Sequence, residues 1–275
     1  MRITDHRQRE KGVLVYPVYS RRSGGLSVGI NLFPDKKNCP FDCPYCEVFP
    51  FARNVAFSPE QMEADLRAAV AAAREQNVAI RDICFSGNGE PSLSPAFGEA
   101  LERAARVRGE MATAAQLVVI TNGAGLLRPK TFSLLADAAS GDIALHIWLK
   151  LDAGTAGWYR KINRAAIPFE KLMAHIKKFA AAAPVTIQTM LCAVDGGAPP
   201  PEEAHAWENV VCALAVIAAN GSGGIRTVQM YGKARPAPDD PKAQALPVEY
   251  LESRAVSLRR AFAAHNITTP VETYE

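Results

Sequence analysis

Three cysteines within eight residues carry the clearest chemical signal in the sequence. Cys39, Cys43 and Cys46 lie in the segment CPFDCPYC, and no other cysteine or histidine is close to them in the chain. Thiolates grouped so tightly in a turn-rich segment favour a soft metal or an iron–sulfur cluster. A closed structural zinc site normally has four ligands, whereas only three are visible here. A four-iron cluster held by three thiolates would leave one iron open to an exogenous ligand.

The spacing C-x3-C-x2-C, with the aromatic Tyr45 before the last cysteine, resembles the signature of the radical S-adenosylmethionine (SAM) superfamily. The resemblance implies a [4Fe–4S] cluster on Cys39, Cys43 and Cys46, with SAM chelated at the open iron and Tyr45 beside the adenine. It also implies reductive cleavage of SAM, with the electron supplied by a donor such as flavodoxin or ferredoxin. Taken alone, the motif also fits a structural metal site or a redox-sensing cysteine group.

Composition indicates an ordinary globular protein. The chain has 275 residues, 48% hydrophobic and 21% charged, and a formal net charge of +3. This mild charge permits an anionic partner without requiring a nucleic acid. The first 25 residues contain no apolar core of a signal peptide, and the most apolar run, 210–219, is too short to span a bilayer. We therefore expect a cytoplasmic protein that does not enter a membrane.

Strand and helix patterns alternate from residue 26 onwards. Alternation of this kind predicts an α/β fold with a parallel sheet and outer helices, and six units predict a partial (β/α)6 TIM-like barrel. Residues 1–25 are polar and are expected to form a flexible lead-in, with a single core domain over 26–275 that ends in a helix. The predicted strands are 26–33, 80–86, 116–121, 143–151, 185–192 and 225–231.

Helix signals separate the strands. Ser58 is a predicted N-cap, Pro59 fits the first helical position, and Gln61 would complete a capping box. An apolar stripe follows at Met62, Leu66, Val70 and Ala73. A similar stripe predicts the C-terminal helix from about 247 to 265, with Leu251, Ala255, Leu258 and Phe262 inward. Cys84, Cys192 and Cys212 stand singly in apolar segments and are expected to be core residues.

The second predicted strand leads into a glycine-rich segment with one carboxylate. Glycine allows close approach of backbone to a ligand, and Glu90 could accept hydrogen bonds from an ammonium. The alternative is a simple Gly-Pro turn with a solvated glutamate. Beside the cysteine motif, the segment resembles the GGEP element of the superfamily, which binds the amino group of SAM, with Asn88 in place of glycine. The candidate SAM-binding residues here are Ser86, Gly87, Asn88, Gly89, Glu90 and Pro91.

Polar residues at later strands are further candidates for SAM binding. Asn122 stands in an Asn-Gly sequence, where a turn residue is at least as good an interpretation as a ligand contact. Lys150 and Asp152 share one face of the fourth strand with Trp148, so a structural ion pair competes with contacts to the SAM carboxylate, an anionic substrate or ribose. Gln188 is polar among apolar neighbours and is a candidate for a ribose or carboxylate contact.

Basic residues cluster at two places beyond the predicted strands. Arg160, Lys161 and Arg164 follow the fourth strand, where a solvated face is the favoured interpretation. Lys233 and Arg235 follow the sixth strand, at the end where barrel enzymes bind ligands. They could bind an anionic group of a substrate or keep the loop soluble.

Several segments together resemble one subgroup of the superfamily, largely uncharacterised iron–sulfur oxidoreductases akin to the archaeal wyosine-forming tRNA enzymes. Those tRNA enzymes carry a second cluster on cysteines nearer the N-terminus, whereas Cys39 is the first cysteine here, so a single cluster is predicted. The matching segments are 20–22 with 24–29, 85–92, 121–123, 151–153, 161–164 and 235–236.

The leading hypothesis is therefore a radical SAM enzyme with a small-molecule substrate and a catalytic residue still to be identified. Modification of a tRNA base is the first alternative, and the mild charge argues against it. A non-catalytic iron–sulfur or zinc adaptor is the second, and it leaves the glycine-rich segment unexplained.

Overall fold

The computed structural model describes residues 12–48, 50–219, 223–235 and 243–275. Its contacts divide the chain into two units, and each is described by itself. Unit 1 comprises Met1–Cys39, Pro50–Thr121 and Ser133–Ile147, and unit 2 comprises Pro40–Phe49, Asn122–Phe132 and Trp148–Glu275. The single core domain over 26–275 stays a prediction.

The strands and helices of the described residues alternate for most of the chain. The strands are β1 (Val15–Ser20), β2 (Gly25–Asn31), β3 (Ile80–Ser86), β4 (Gln116–Thr121), β5 (Leu145–Lys150), β6 (Pro184–Ala193), β7 (Gly224–Gly232), β8 (Gln244–Ala245) and β9 (Val271–Tyr274). The helices are α1 (Pro59–Glu75), α2 (Phe97–Met111), α3 (Pro129–Ser140), α4 (Ala156–Ile162), α5 (Phe169–Ala182), α6 (Pro201–Ala219) and α7 (Val248–Ala264). All six predicted strands are present, with ends shifted by at most two residues.

Unit 1 contains the strand order β1-β2-β3-β4. β2 is parallel to β3, and β3 is parallel to β4. β2 is buried along nearly its whole length, as expected for a parallel strand covered on both faces. The C-terminal ends of β2 and β3 therefore lead into the loops that carry the candidate residues of this unit.

The prediction of a flexible lead-in over 1–25 is wrong for residues 15–20. These residues form β1, which is antiparallel to β2 and pairs with it from Val15 opposite Ile30 to Ser20 opposite Gly25. Burial of Val15 and Tyr16 stabilises the strand. The first eleven residues of the predicted lead-in lie outside the described part of the chain.

Helix α1 begins where its capping signals predict. The Ser58 hydroxyl accepts a hydrogen bond from Gln61 N–H at 3.1 Å, and Pro59 occupies the first turn. The capping box is incomplete, because the Gln61 side chain donates to Asp65 instead of turning back to the cap. The predicted stripe of α1 is buried, as is that of α7, at Met62, Leu66, Val70, Ala73, Leu251, Ala255, Leu258 and Phe262.

Unit 2 contains the strand order β6-β7-β9. β6 and β7 are parallel over eight residue pairs, and β9 extends the parallel order beyond β7. The short β8 pairs with β6 in the antiparallel sense. Neither β8, β9 nor the short α4 was predicted, because strands of two and four residues and a helix of only two turns give too little periodicity to detect.

Two composition-based expectations can be compared with the structure. Cys84, Cys192 and Cys212 are buried free thiols, so their prediction as core residues is confirmed. Within the described ranges, no helix combines the length and the hydropathy that a membrane crossing needs.

Candidate functional site

The glycine-rich loop of unit 1 depends on its two glycines. Gly87 has a left-handed φ of 118°, and a Cβ there would lie 2.7 Å from Asn31 Oδ1. A Cβ on Gly89 would lie 2.2 Å from the carbonyl oxygen of Asn38. The loop therefore packs against two asparagines at distances that no side chain at either glycine would permit.

The same loop pairs with the residue that precedes Cys39. Asn38 N–H donates to the Asn88 carbonyl at 3.0 Å, and Glu90 N–H donates to the Asn38 carbonyl at 2.9 Å. A parallel β-bridge joins Asn38 to Gly89. The backbone next to the first cysteine of the motif is thus held by the loop that resembles the SAM-binding element.

Asn88 occupies the loop without disturbing it. Its side chain is fully buried, and its amide donates to the Phe33 carbonyl at 3.1 Å. Its backbone N–H donates to Asn31 Oδ1, also at 3.1 Å. The asparagine that replaces the glycine of the family pattern therefore points into the fold and adds a support for the loop.

Glu90 is buried, with 2% of its surface exposed, so the alternative of a solvated glutamate is wrong. Its Oε1 accepts hydrogen bonds from Ser92 N–H at 3.1 Å, from the Ser92 hydroxyl, and from the Thr121 hydroxyl at 2.6 Å. The carboxylate also caps a short 3-10 turn, Pro91–Leu93. These donors fix the orientation of a buried acceptor at the C-terminal end of β3.

Ser86, the last residue of β3, is held by a tyrosine of the edge strand β1. Its hydroxyl lies 2.7 Å from the hydroxyl of Tyr16 in β1. A Cβ on Gly29 would meet the Tyr16 ring at 2.3 Å, so only glycine in β2 lets this ring cross the strand.

Cys43 and Cys46 lie in unit 2, and both are partly exposed. Cys46 N–H donates to the Cys43 carbonyl at 2.9 Å, which closes a turn between them. The Cys43 sulfur lies 3.5 Å from Asn163 Nδ2. Burial, and then the nearby charge of Asp152, raise the pKa of the Cys43 thiol to about 12. A thiol of this kind becomes a thiolate when it coordinates a metal.

Asp152 is the centre of the polar group in unit 2. Its side chain is buried, and its Oδ1 accepts from Lys150 Nζ and from the backbone N–H of Met190, both at 2.8 Å. Its Oδ2 accepts from the Tyr45 hydroxyl and from Asn163 Nδ2, the latter at 3.0 Å. Four donors therefore surround one carboxylate and fix its orientation.

Lys150 sits between two tyrosine rings. Its ammonium lies 5.0 Å from the ring centroid of Tyr45 and 4.7 Å from that of Tyr231, and it donates to the Tyr231 hydroxyl. Burial lowers the pKa of Lys150, but Asp152 and Tyr231 outweigh this effect and leave the pKa above its usual value. The predicted pairing of Lys150 with Asp152 is confirmed, and the lysine carries a positive charge.

Tyr45 is fixed by its contacts to Lys150 and Asp152. Burial, and then the charge of Asp152, raise the pKa of the Tyr45 phenol well above its usual value. The phenol therefore stays protonated and donates to the carboxylate. This bond ties the residue before Cys46 to the end of β5.

Two other candidates have structural partners. Gln188 is fully buried in β6, and its amide donates to Gln229 of β7 at 2.7 Å. Asn122 Oδ1 accepts from Ala124 N–H at 2.9 Å, and Gly123 adopts a left-handed φ of 81°. The turn interpretation of Asn122 is confirmed, and a ligand contact for either residue stays a prediction.

The basic residues differ in their surroundings. Arg160, Lys161 and Arg164 are exposed, which confirms the solvated-face interpretation. Arg235 pairs with Glu47 at 3.1 Å, and Lys233 donates to the Arg235 carbonyl. Pro236, which with Arg235 forms one of the segments that resemble the subgroup, lies outside the described residues.

The cysteine motif offers the donors that an iron–sulfur cluster requires. All three cysteines are reduced and partly exposed. Among the residues that the structure describes, no group of three His, Cys, Asp or Glu side chains is gathered closely enough to hold a single metal ion. A cluster bound through three cysteines attaches each thiolate to a different iron, so its ligands need not converge on one point. The donor chemistry therefore fits a cluster.

Several contributors to these groups were not singled out from the sequence. Asn31 and Asn38 support the glycine-rich loop, Tyr16 reaches Ser86, and Tyr231 and Asn163 complete the polar group around Asp152. Of these residues, only Asn163 could have been found from the sequence, since it lies in one of the segments that resemble the subgroup.

Comparison with known proteins decides the family. The profile of the Radical SAM superfamily matches residues 36–194, which is more than half of the chain. The chain belongs to the radical SAM superfamily. Two curated relatives, UPF0026 proteins of Helicobacter pylori strains J99 and 26695, are each 29% identical over 127 and 123 residues. Each match covers 44% of this chain and 38% of the relative, so well over half of each relative has no counterpart in the match.

Solved radical SAM structures share the fold. SuiB of Streptococcus suis bound to SAM has a TM-score of 0.64 at 13% identity, over 87% of this chain and 49% of SuiB. A radical SAM methyltransferase of Sphaerobacter thermophilus has a TM-score of 0.63 at 17% identity, over 90% and 66% of the two chains. The predicted fold class, an α/β partial (β/α)6 barrel, is confirmed.

Membership of this superfamily implies a [4Fe–4S] cluster and SAM as the cofactors of the chain. An enzyme of this superfamily also needs a reductant that donates electrons to the cluster.

Proposed function

We propose that Cys39, Cys43 and Cys46 hold a single [4Fe–4S] cluster, and that the enzyme uses it to cleave SAM and generate a radical on a small-molecule substrate. The observation that carries this proposal is the pairing of Asn38 with the glycine-rich loop. It fixes the backbone beside a cluster ligand to the element that resembles the SAM-binding segment.

The backbone of the glycine-rich loop is suited to the methionine part of SAM. Gly87 and Gly89 keep the loop free of side chains, and Asn88 turns its side chain inward. The buried Glu90 is aligned by Ser92 and Thr121 and would accept hydrogen bonds from the SAM ammonium. When bound, the reduced cluster would supply one electron to SAM, and cleavage of a carbon–sulfur bond would use that electron and yield an organic radical. The chain supplies binding, orientation and shielding.

Lys150 is the positive charge best placed for an anionic group. It is held by Asp152 and by the rings of Tyr45 and Tyr231, with only 12% of its side chain exposed. An ammonium so restrained loses little further freedom on binding a carboxylate. We assign it to the carboxylate of SAM or of the substrate, and we assign Tyr45 to the adenine side of SAM.

The remaining assignments follow from the chemistry. Partly exposed iron–sulfur ligands and reduced cysteines fit a reducing compartment, and we place the enzyme in the cytoplasm with flavodoxin or ferredoxin as its electron donor. A small substrate is favoured over tRNA because the net charge of the chain is only +3. Tight binding of tRNA that weakens steeply with salt would instead favour base modification.

The test is anaerobic reconstitution with iron and sulfide, followed by reduction with dithionite in the presence of SAM and chromatography of the products. We expect 5′-deoxyadenosine from the unchanged protein. It should be lost in Cys39→Ala, Cys43→Ala and Cys46→Ala and retained in Cys212→Ala, which removes a buried cysteine outside the motif.

Three other results would change the assignment. A full four-iron cluster and SAM cleavage in Cys43→Ala would show that the ligands are wrongly assigned. A different SAM fragment would place the enzyme in another cleavage class. Zinc without labile sulfide, together with no SAM binding by calorimetry, would support an adaptor.

A further inference from the structure

Asn163 is a buried asparagine that the proposed cofactor contacts do not use. It ends α4, and its N–H donates to the Tyr159 carbonyl as the last bond of the helix. Arg164, the next residue, has a left-handed φ of 44°, a conformation that favours glycine. A left-handed residue at the position after the cap is a common way for a helix to end.

The backbone of Asn163 holds the cysteine loop. Its carbonyl accepts from Asp42 N–H at 3.0 Å and lies 3.8 Å from the Cys43 sulfur. The end of α4 therefore positions Asp42 and Cys43. Cys43 lies 120 residues before Asn163 in the chain.

The side chain of Asn163 bridges the same cysteine to the Asp152 carboxylate. Its Nδ2 lies 3.5 Å from Cys43 Sγ and 3.0 Å from Asp152 Oδ2. A carboxylate accepts hydrogen bonds and cannot donate them, so it selects the orientation in which nitrogen, rather than oxygen, faces both groups. One amide hydrogen then points to the carboxylate and the other to the sulfur.

We propose that Asn163 is a positioning residue that donates an N–H···S hydrogen bond to the Cys43 thiolate and thereby raises the reduction potential of the cluster. The inference rests on the proposed function, in which Cys43 is a ligand. Reduction adds one negative charge to the cluster and its thiolates, and a hydrogen-bond donor stabilises the more negative state. The structure therefore predicts easier reduction with the amide than without it.

Asp152 and Lys150 complete the arrangement. A carboxylate near the cluster would by itself lower the potential, but Lys150 lies 2.8 Å from Asp152 and offsets its charge. Asp152 thus orients the amide of Asn163 while adding little net charge. Residues that orient a group beside a metal ligand can tune the reduction potential of the metal site.

The test compares reconstituted wild-type protein with Asn163→Ala, Asn163→Asp and Lys161→Ala. Cluster content is measured from iron and sulfide, and the midpoint potential from a redox titration followed by electron paramagnetic resonance of the reduced cluster. We expect a more negative midpoint in Asn163→Ala and a still more negative one in Asn163→Asp. Lys161→Ala, on the exposed face of the same helix, should match the wild type.

A second measurement needs no variant and covers the case in which Asn163→Ala fails to bind a cluster. Pulsed electron paramagnetic resonance of wild-type protein labelled with nitrogen-15 in its asparagine side chains should detect an amide nitrogen coupled to the reduced cluster. The absence of any coupled asparagine nitrogen would overturn the inference, as would a full cluster in Asn163→Ala with an unchanged midpoint. Either result leaves the proposed function standing, whereas wild-type protein that forms no four-iron cluster would refute the proposed function itself.

Discussion

The hydroxyl of Tyr16 lies 2.7 Å from that of Ser86, although the two residues belong to strands that are separated by β2. The ring crosses β2 at Gly29, where a Cβ would overlap it at 2.3 Å. Ser86 directly precedes Gly87, so the edge strand β1 supports the start of the glycine-rich loop.

Tyr16→Phe should therefore weaken both the fold and the loop. It removes the hydroxyl but keeps the buried ring, and we expect the free energy of unfolding to fall by about 1 kcal/mol. SAM binding should weaken a few-fold because the loop gains freedom. Urea denaturation and calorimetry measure the two effects. Tyr19→Phe is the matched control, since Tyr19 lies on the same strand with 53% exposure, and equal effects of the two changes would refute this role.

Gly89→Ala should be severe for the loop. The new Cβ would lie 2.2 Å from the Asn38 carbonyl, which is backbone and cannot swing away. We expect a loss of roughly 1–3 kcal/mol in the free energy of unfolding, with loss of SAM binding.

Gly109→Ala is the same chemical change, but we expect it to raise the free energy of unfolding instead of lowering it. Gly109 lies in helix α2, and nothing is within 4 Å of its added Cβ. We expect a gain of about 0.5–1 kcal/mol because alanine loses less backbone entropy than glycine in a helix. Urea denaturation of both variants checks the pair, and stabilisation by Gly89→Ala would show that Asn38 does not constrain the loop.

Much of the fold could be predicted because the apolar periodicity that indicates a helix or a strand involves residues close together in the sequence. The stripe of α1 at Met62 and Leu66 and the buried run of β3 are visible within a few residues. β1 was missed because it contains Pro17 and buries only its first two residues. Proline is tolerated there because β1 is an edge strand, a fact that depends on the whole sheet.

The candidate site was only partly predictable for a related reason. Lys150 and Asp152 are two residues apart on one strand, so their pairing follows from the alternation of side chains. The contacts of Asp152 with Tyr45 and Asn163 come from separate loops. Nothing in the local pattern around residue 163 indicates which cysteine it will meet.

Thr121→Val should disturb the orientation of Glu90. The two side chains have nearly the same shape, but valine cannot donate the 2.6 Å hydrogen bond to Oε1. We expect a loss of about 1–3 kcal/mol in unfolding free energy, because a buried carboxylate loses a donor, and weaker SAM binding. Calorimetry with SAM checks the second effect. Thr227→Val, at a half-buried position in β7 where the hydroxyl donates to the Pro270 carbonyl, should leave binding unchanged.

Asp152→Asn should destabilise the cluster-free protein by about 3–5 kcal/mol near neutral pH, since it leaves the Lys150 ammonium buried without its counter-charge. The dependence on pH provides the sharper test. In the wild type the pKa of Lys150 is raised, so its contribution to stability is present below the usual lysine pKa and is lost only as pH rises through the higher folded value. In the variant, burial dominates and lowers the pKa of Lys150, so the variant gains stability as pH rises.

The difference in unfolding free energy between wild type and Asp152→Asn should therefore be largest near pH 7 and smaller at about pH 9.5, where tyrosines are still mostly protonated. Urea denaturation at the two pH values measures it. Asp137→Asn, at an exposed position of α3, should change stability by less than about 0.5 kcal/mol at both. A difference that stays constant with pH would mean that Asp152 stabilises the fold through its neutral donors rather than through the charge of Lys150.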